Sequence, residues 1–245
     1  MTFARTVLPE TLDVLPVSDP RAVRSRRDLQ RVNRFLGTRR TMVRGMQPAT
    51  ARRSSDDVPL RVLELGAGDG SLMLGIAQEL SAAWPAVHLT LLDRLALVTA
   101  DTSAAFARLG WSVHTLSIDV LDWAAAPLPS HLPPRWDVIV TNLFLHHFDG
   151  PLLASLLSAI AARSNMFVAS EPRRTPVSLI GSHLIGALGA NKVTREDAVL
   201  SVHAGFRDAE LSAAWQGNAG EWQLQEHPAG LFSHFFSATR RAASG

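Results

Sequence analysis

The strongest constraint on the fold of this chain is the stretch LELGAGDG, which spans residues 63–70. An apolar run typical of a buried strand stops there at three glycines, each separated by one residue. Such a turn lets a ligand approach the backbone at the carboxyl edge of a parallel sheet. The nicotinamide pattern places its third glycine at position 71, where this chain has Ser71. The spacing favours another nucleotide-type ligand, and a ligand-free strand-to-helix turn is the alternative.

The remainder of the chain alternates between strand and helix patterns. Helices are expected over residues 71–83, 94–109 and 149–162, and further helical segments within 175–215. The strand patterns follow RVLELG in the order HLTLLD (88–93), SVHTLSID (112–119), WDVIVTN (136–142) and NMFVASE (165–171). Two final runs, residues 221–227 and 231–240, predict an antiparallel hairpin. The pattern predicts an α/β fold with a doubly wound, mostly parallel sheet covered on both faces.

Composition excludes several classes of protein. The chain has no cysteine, so it has neither a disulfide framework nor a thiolate nucleophile. No apolar run reaches the ~18 residues of a membrane span, and the N-terminus lacks the pattern of a signal peptide. We therefore expect a cytoplasmic protein without a membrane span.

The first 58 residues differ in charge from the rest, since they hold 12 arginines and six acidic residues whereas the whole chain has a formal net charge of +2. Residues 1–20 are expected to be an irregular arm, followed by a helix from Arg21 to about Gly37 and a second helical piece over 38–47. The first helix presents an apolar stripe of Leu29, Val32, Phe35 and Leu36, and a basic face of Arg24, Arg27, Arg31 and Arg34. We predict that residues 21–47 form a lid, with some arginines facing an anionic or carbonyl-rich ligand. The predicted division is an N-terminal arm and lid over 1–58 and a main domain over 59–245.

Carboxylates follow the next two strands. Asp93 ends the second strand, where it can accept both ribose hydroxyls, and Asp119 ends the third, where it can accept an adenine amine. Glu64 lies beside the glycine turn, near the place of a cationic aminoacyl group, and no Lys or Arg follows the glycines to hold a phosphate. These features favour a positively charged nucleoside cofactor without phosphate, which is S-adenosylmethionine.

With these motifs the chain resembles the class I (Rossmann-like) S-adenosylmethionine-dependent methyltransferases over about residues 60–240. The resemblance is carried by LELGAGDG, LLDR, SIDV, DVIVTNLFLHHF and the final hairpin. It implies a seven-stranded sheet whose last strand is antiparallel. It also implies that the glycines face the aminoacyl part of the cofactor, Asp93 the ribose, Asp119 and Val120 the adenine, and Asn142 and Leu143 the methionyl side. The expected cofactor-binding residues are Glu64, Gly66, Ala67, Gly68, Gly70, Asp93, Arg94, Asp119, Val120, Asn142 and Leu143.

The methyl acceptor is narrowed by what the sequence lacks. TNLF stands where amino-nitrogen methyltransferases have an Asn-Pro-Pro-aromatic turn, and cytosine C5 enzymes need a cysteine. FLHHF resembles enzymes of quinone biosynthesis and polyketide tailoring, while SEPRR and AGLFSHFF resemble bacterial enzymes that tailor phenolic or quinoid natural products. We therefore expect methylation of a hydroxyl on a small molecule. Three alternatives remain. They are carbon methylation of a quinone-like or lipidic substrate, an RNA-directed enzyme or RNA-binding protein that uses the basic helix, and a cofactor-binding scaffold without chemistry.

Two histidines are candidates for a general base. His146 and His147 follow the fourth strand, and histidine titrates in the appropriate range, so one of them, His146 first, is a candidate to remove the hydroxyl proton. The alternative is a histidine that braces the loop. Glu171, after the fifth strand, is expected either to bind substrate or to pair with Arg173 or Arg174, and the apolar segment 178–189 to line an acceptor pocket or to pack as a helix. Arg31, Phe35, Glu171 and Arg173 are the predicted substrate contacts. Metal-dependent catechol-type enzymes have acids at the ends of both the fourth and the fifth strand. Here the fourth strand ends in Thr141 and Asn142, and only the fifth is followed by an acid, so no metal is expected.

Overall fold

The computed structural model describes residues 3–52, 58–84, 86–127, 129, 132–217 and 220–241. Its centre is one seven-stranded sheet with the order β3-β2-β1-β4-β5-β7-β6. The strands are β1 (Leu60–Leu65), β2 (Val87–Asp93), β3 (Trp111–Ser117), β4 (Trp136–Asn142), β5 (Ser164–Pro172), β6 (Trp222–Ala229) and β7 (Ser233–Arg240). β7 is antiparallel to both neighbours, and β1 to β5 pair in parallel. The expected α/β architecture with an antiparallel last strand is confirmed.

Helices cover both faces of this sheet. The α-helices are α1 (Thr11–Val14), α2 (Pro20–Phe35), α3 (Thr38–Met46), α4 (Ser71–Leu80), α5 (Ala100–Ala107), α6 (Val120–Ala125), α7 (Gly150–Arg163), α8 (Pro176–Leu184), α9 (Lys192–Ala204) and α10 (Glu210–Ala214). Short 3-10 turns occupy Gln47–Arg52, Leu145–His147 and Ile185–Leu188. The central strands β1, β4 and β5 are almost wholly buried, as expected for a parallel sheet between two helical layers.

Local chemistry explains where the N-terminal helices begin and end. The Asp19 carboxylate accepts the backbone N–H of Arg21, and Pro20 occupies the first turn of α2. Gly37 adopts a φ of +67° and separates α2 from α3. The predicted break at this glycine is confirmed, and the arm before α2 contains one short helix, α1.

Two elements differ from the prediction. The helix expected over residues 94–109 begins only at Ala100, where Thr99 caps it by accepting the N–H of Thr102. The strand expected to reach Asp119 ends at Ser117, and Asp119 instead accepts the N–H of Leu121 and caps α6, a helix that the periodicity did not predict. In both places a short polar cap overrides an apolar pattern that continues through it.

The N-terminal segment divides into two parts by packing. Met42, Val43 and Met46 of α3 are buried in the same core as β1 and α4, whereas no described residue before Thr38 belongs to either core cluster. α2 instead contacts α9, where Ser25 is bonded to Asn191 and the Asp28 carboxylate accepts from Asn191 and Thr194. We therefore propose that the lid comprises the arm and α2, and that α3 is part of the main domain.

None of the described helices is both long enough and apolar enough to cross a membrane.

Candidate functional site

The carboxyl edge of the sheet holds a cavity of about 380 Å³, here called cavity 1. Its walls come from the turn after β1, from the ends of β2 and β4, and from the start of α6. The N-terminal arm and α2 close it from above through Leu12, Asp13, Arg26, Leu29, Gln30 and Asn33. Cavity 1 therefore lies between the sheet edge and the lid, where open α/β sheets bind ligands.

The glycine turn forms one wall of cavity 1. Backbone N–H groups of Gly66 and Ala67 both donate to the carbonyl of Leu92, at 2.9 and 3.0 Å, which fixes the turn over β2. Gly66 and Gly68 have φ values of +72° and +56°. A side chain at Gly66 would collide with the ring of Phe144, whereas the space beside Gly68 is open. Gly70 starts α4 and does not line the cavity, so its role is the turn itself.

Asp93 lies beside this turn. Its Oδ2 accepts the N–H of Gly68 at 2.8 Å, and its Oδ1 accepts the N–H of Leu95 at 2.9 Å. Each carboxylate oxygen has a second lone pair, so Asp93 can hold the turn and still accept hydrogen bonds from a ligand.

Three buried polar atoms at cavity 1 have no partner among the described residues. They are Glu64 Oε2, Asn142 Oδ1 and Arg26 Nη2. Burial and the nearby carboxylates of Asp93 and Asp69 raise the pKa of Glu64 well above its usual value. An unpaired buried polar atom is costly, so each of these atoms indicates a missing partner. A ligand with a cationic group near Glu64 and an anionic group near Arg26 would satisfy two of them.

The remaining expected cofactor contacts surround the other end of cavity 1. Asp119 and Val120 line it at the start of α6, and Ala67, Leu143 and Arg94 line it as well. The Arg94 guanidinium is bonded to the carbonyl of Asp13 and, at 3.0 Å, to its carboxylate. Of the eleven residues predicted for this site, all but Gly70 line the cavity.

A second cavity of about 330 Å³, cavity 2, adjoins the first. It lies between α2, α8 and α9, and its lining includes the predicted apolar segment through Gly181, Leu184, Ile185 and Leu188. The stripe of Leu29, Val32, Phe35 and Leu36 also lines it. The stripe therefore covers a cavity rather than docking on the core, and Phe35 is 66% exposed at its edge.

Cavities 1 and 2 share the side chains of Leu12, Leu29 and Leu143. Leu143 has a φ of +50°, a left-handed conformation that is strained for a residue with a branched side chain. Its N–H donates to the carbonyl of Ser170, which holds it there. Strain of this kind collects at functional positions, and here it lies where the two cavities meet.

His146 is buried below this junction. Its Nδ1 is 2.8 Å from Glu171 Oε2, and its Nε2 is 3.3 Å from Glu10 Oε1. Burial lowers its pKa, but the hydrogen bonds to Glu10 and Glu171 outweigh burial and raise the pKa to about 9. His146 lines neither cavity, and both of its ring nitrogens face carboxylates. This geometry does not suit the base role predicted for His146 and instead makes it a cation that joins the arm to the loop after β4.

His147, in contrast, lines cavity 1. Its Nδ1 is 3.3 Å from Asp13 Oδ2. Burial and the neighbouring His146 lower the pKa of His147. At neutral pH its imidazole is therefore uncharged and able to accept a proton.

Glu171 has a structural partner set that the sequence did not predict. Its Oε1 accepts the backbone N–H groups of Phe144 and Leu145, at 3.1 and 3.0 Å, and Oε2 faces His146. It pairs with neither Arg173 nor Arg174, because Arg174 is bonded to Glu210 and Arg173 donates to the carbonyl of Gly230. Glu171 lines neither cavity and fixes the loop that carries both histidines.

The other predicted substrate contacts are mostly occupied elsewhere. Arg31 donates to Asp28 at 2.7 Å and to the carbonyl of Leu188 at 3.3 Å, and Arg173 is held at Gly230. Of the four predicted contacts, Phe35 alone lines cavity 2. Of the arginines of α2, Arg26 lines cavity 1, and none of the described residues around cavity 2 is an arginine, lysine or histidine. Cavity 2 therefore offers no cation to an anionic acceptor.

Ligand atoms of Glu10, His146 and His147 lie within 4.8 Å of one another. Within the described part of the chain this is a cluster whose side chains could reach a common metal ion. The carboxylates of Glu10 and Glu171 already compensate the charge of a protonated His146. Glu10 and His146 therefore also belong to an ion-pair network with Glu171.

Sequence reasoning missed the contribution of the arm. Leu12 lines both cavities, Glu10 lines cavity 2 and Asp13 lines cavity 1. The N–H groups of Thr11 and Leu12 donate to the Asp197 carboxylate at 2.8 and 2.9 Å. Because these partners are more than 180 residues apart in sequence, no local pattern indicates the contact.

The attachment of the arm should depend on pH through His146, which faces Glu10, Glu171 and His147. Because its pKa rises from 6.5 to about 9 on folding, the stabilisation is fully present below pH 6.5 and is lost as pH rises through about 9. We expect residues 3–14 to be cleaved by protease at least about tenfold faster above pH 9 than at pH 6.5, measured at low protease with cleavage mapped by mass spectrometry. Glu10→Gln should remove most of this pH dependence. An equal dependence in that variant would contradict the assignment to the Glu10–His146 pair.

Comparison with known proteins identifies solved structures with a similar fold. Neither a protein-family model nor a curated protein matches the sequence. The structure is similar to that of the plantazolicin methyltransferase BpumL in complex with SAH, with a TM-score of 0.59 and 15% identity over 91% of this chain and 92% of that chain. A BpumL complex with a monoazolic desmethylPZN analog and SAH gives a TM-score of 0.60 at 15% identity over 91% and 92% of the two chains.

A third similar structure is the magnesium protoporphyrin IX methyltransferase ChlM from Synechocystis PCC 6803 with bound SAM. It matches with a TM-score of 0.50 and 12% identity over 94% of this chain and 88% of that chain. The chain therefore has the fold of the class I S-adenosylmethionine-dependent methyltransferases.

Proposed function

We propose that this protein is an enzyme that uses S-adenosylmethionine to methylate a small organic acceptor. The observation that carries the proposal is the pair of cavities that meet at Leu12, Leu29 and Leu143. One cavity has the features of a nucleoside site and the other those of an apolar acceptor site. Transfer between two bound molecules requires this arrangement, because alignment and exclusion of water account for most of the catalysis.

The residues of cavity 1 fit the proposed cofactor. Glu64 would face a cationic aminoacyl group and Arg26 a carboxylate, which supplies partners for two buried unpaired atoms. Asp93 would accept the ribose hydroxyls, and Asp119 with Val120 would face the adenine. The open space beside Gly68 is consistent with a ligand that contacts the turn. BpumL and ChlM, which share the fold, are described with SAH and SAM, respectively.

The acceptor is proposed to be the hydroxyl of a phenolic, quinoid or polyketide-like natural product. Cavity 2 combines an apolar wall with the carboxylates of Glu10 and Asp197 and with serine and threonine residues. Most of these hydroxyls donate to protein acceptors and keep a lone pair for a ligand. These groups suit an uncharged acceptor with polar substituents. They disfavour the anionic acceptor that the arginine-rich helix suggested.

The chemistry rests on His147. When bound, S-adenosylmethionine supplies a methyl group activated by its sulfonium centre. Asp13 holds Nδ1 of His147, which leaves Nε2 of the neutral ring to accept the acceptor's hydroxyl proton. His146 is a positioning residue that fixes the loop through Glu171 and the arm through Glu10. The proposed mechanism uses no metal ion.

The contacts bear differently on the two main alternatives. Carbon methylation needs the same two cavities and differs only in the acceptor atom. RNA binding would use the arginines of α2, but the charges of Arg21 and Arg31 are compensated by the carboxylates of Asp19 and Asp28. A panel of phenols, hydroquinones and short RNAs, incubated with the cofactor and analysed by mass spectrometry, distinguishes them. The gain of one methyl group on oxygen supports the proposal, and methylation of RNA alone would overturn it.

Replacement of Asp93 by Ala should weaken cofactor binding at least about tenfold, because charge-assisted hydrogen bonds to the ribose are lost. The same change also removes the bond to the Gly68 amide, so the loss has two sources. An analogue of S-adenosylhomocysteine without ribose hydroxyls separates them. It should bind the wild type weakly, and the further loss in Asp93→Ala should be small when calorimetry is used for both proteins. Equal losses for the analogue and the parent compound would contradict the ribose assignment.

A further inference from the structure

The surface around the mouth of cavity 2 is unusually apolar. Six large side chains with exposed fractions from 41% to 66% form what we call the apolar rim: Phe35, Val177, Ile180, Leu184, Leu188 and Leu231. Val177, Ile180 and Leu184 follow one another at helical spacing and so share one face of α8. An exposed patch of this kind marks an interaction surface.

The rim is continuous across three parts of the fold. The Ser178 hydroxyl donates to the carbonyl of Leu231 at 3.2 Å, and Gly181 lies against the ring of Phe232, so the hairpin between β6 and β7 packs on α8. Phe35, Leu184 and Leu188 line cavity 2 as well as being exposed. Cavity 2 therefore opens to the surface among the rim residues.

Guanidinium groups surround this apolar surface. Arg24 and Arg31 donate to the carbonyls of Gly189 and Leu188, both at 3.3 Å, and Arg173 donates to that of Gly230 at 3.4 Å. The side chain of Arg195 lies beside Gly186. These backbone contacts place basic groups next to the segments that carry the rim.

Few acidic groups compensate this charge. Asp28 pairs with Arg31, and Glu196 pairs with Lys192 at 3.6 Å. Within the ranges that the structure describes, Arg24, Arg173 and Arg195 form no ion pair. Docking of a second copy through the same surface would bring these arginines together, which disfavours a symmetric dimer.

We propose that the apolar rim and its arginines bind the surface of an anionic lipid bilayer. Apolar side chains would enter the boundary between headgroups and acyl chains, and arginines would contact lipid phosphates. The mouth of cavity 2 would then face the membrane, so an acceptor dissolved in lipid reaches the site without crossing water. Lipid binding stands on the surface alone, whereas the route for the acceptor rests on the proposed function.

The test is sedimentation of the full-length protein with vesicles. We expect binding to phosphatidylcholine vesicles in which about one third of the lipid is phosphatidylglycerol, weaker binding to phosphatidylcholine alone, and weakening with salt. The triple variant Val177→Ser, Ile180→Ser, Leu231→Ser changes only rim residues outside the lining of cavity 2. It should lose at least about tenfold in vesicle affinity.

Matched variants make the outcome specific. Leu152→Ser removes a side chain that is 49% exposed on α7, which contributes nothing to cavity 2, and should leave vesicle binding unchanged. Arg195→Gln should weaken binding to the anionic vesicles and leave binding to neutral vesicles unaltered. Vesicle binding equal in the triple variant and the wild type would overturn the proposal. The proposal would also be overturned if the wild type bound no vesicles and the triple variant instead abolished dimer formation, RNA binding or binding of an acidic protein.

Calorimetry with S-adenosylhomocysteine separates this proposal from the proposed function. The triple variant should bind it like the wild type. Failure of the wild type to bind it contradicts the proposed enzyme but leaves the lipid-binding surface to be judged by the vesicles alone.

Discussion

A protein that lacks residues 1–36 should lose at least about 100-fold in turnover and remain folded. The arm and α2 supply Asp13, the partner of His147, and Leu12 and Leu29, which line both cavities. Exclusion of water and an oriented base are each worth orders of magnitude in rate. Turnover is measured with the acceptor identified in the panel. The dissociation rate of S-adenosylhomocysteine is the second measurement, and it should rise.

Folding of the truncated protein is expected because no described residue before Thr38 belongs to either core cluster. Met46→Asp in the full-length protein is the contrasting variant, since Met46 is fully buried in the core. A buried unpaired carboxylate should destabilise the protein by several kcal/mol and lower its melting temperature. A truncated protein that melts earlier than Met46→Asp would contradict the proposed boundary, and one that keeps normal turnover would contradict the lid.

The parts of the site that sequence predicts are those encoded locally. The glycine turn, Asp93 and Asn142 stand at strand ends, and the carboxyl ends of parallel strands share one edge, so strand order alone brings them together. Asp119 lines the same cavity as Asp93 although its strand ends two residues earlier than predicted. A residue near the end of β3 lines the cavity whether or not it belongs to the strand, so an error of two residues in the predicted end of β3 does not matter.

The roles of the histidines could not be predicted in the same way. Glu10 and Glu171 lie 136 and 25 residues from His146 in sequence, and together they turn a candidate base into a buried cation. Arg31 and Arg173 line neither cavity for a related reason, because nearby backbone carbonyls hold their guanidinium groups. Charge patterning indicates that a helix is basic, but tertiary contacts decide which arginine reaches a cavity.

The pKa values of His146 and His147 shift in opposite directions for a physical reason. Adjacent imidazoles repel when both are protonated, so a proton held firmly on one lowers the pKa of the other. Glu10 and Glu171 hold that proton on His146, and burial together with this neighbouring charge keeps His147 neutral beside cavity 1. Two groups with opposed pKa shifts at one site are a recurrent arrangement for proton transfer.

Substitution of His147 by Ala should therefore lower turnover by about 100-fold or more and leave cofactor affinity unchanged. The wild-type rate should fall on the acid side of the lowered His147 pKa, below pH 6.5, and this limb should be absent from the variant. His88→Ala, at an exposed histidine on β2, is the matched control.

Dialysis against a chelator should not change the wild-type rate, and restoration of a lost rate by a divalent ion would instead assign Glu10, His146 and His147 to a metal. Near-normal turnover in His147→Ala, with the acid limb retained, would show that alignment alone drives transfer or that the acceptor atom is already ionised. Asp13→Asn separates these outcomes from a merely structural effect, because it keeps the side-chain shape while weakening the hold on Nδ1, and it should lower turnover less than His147→Ala does.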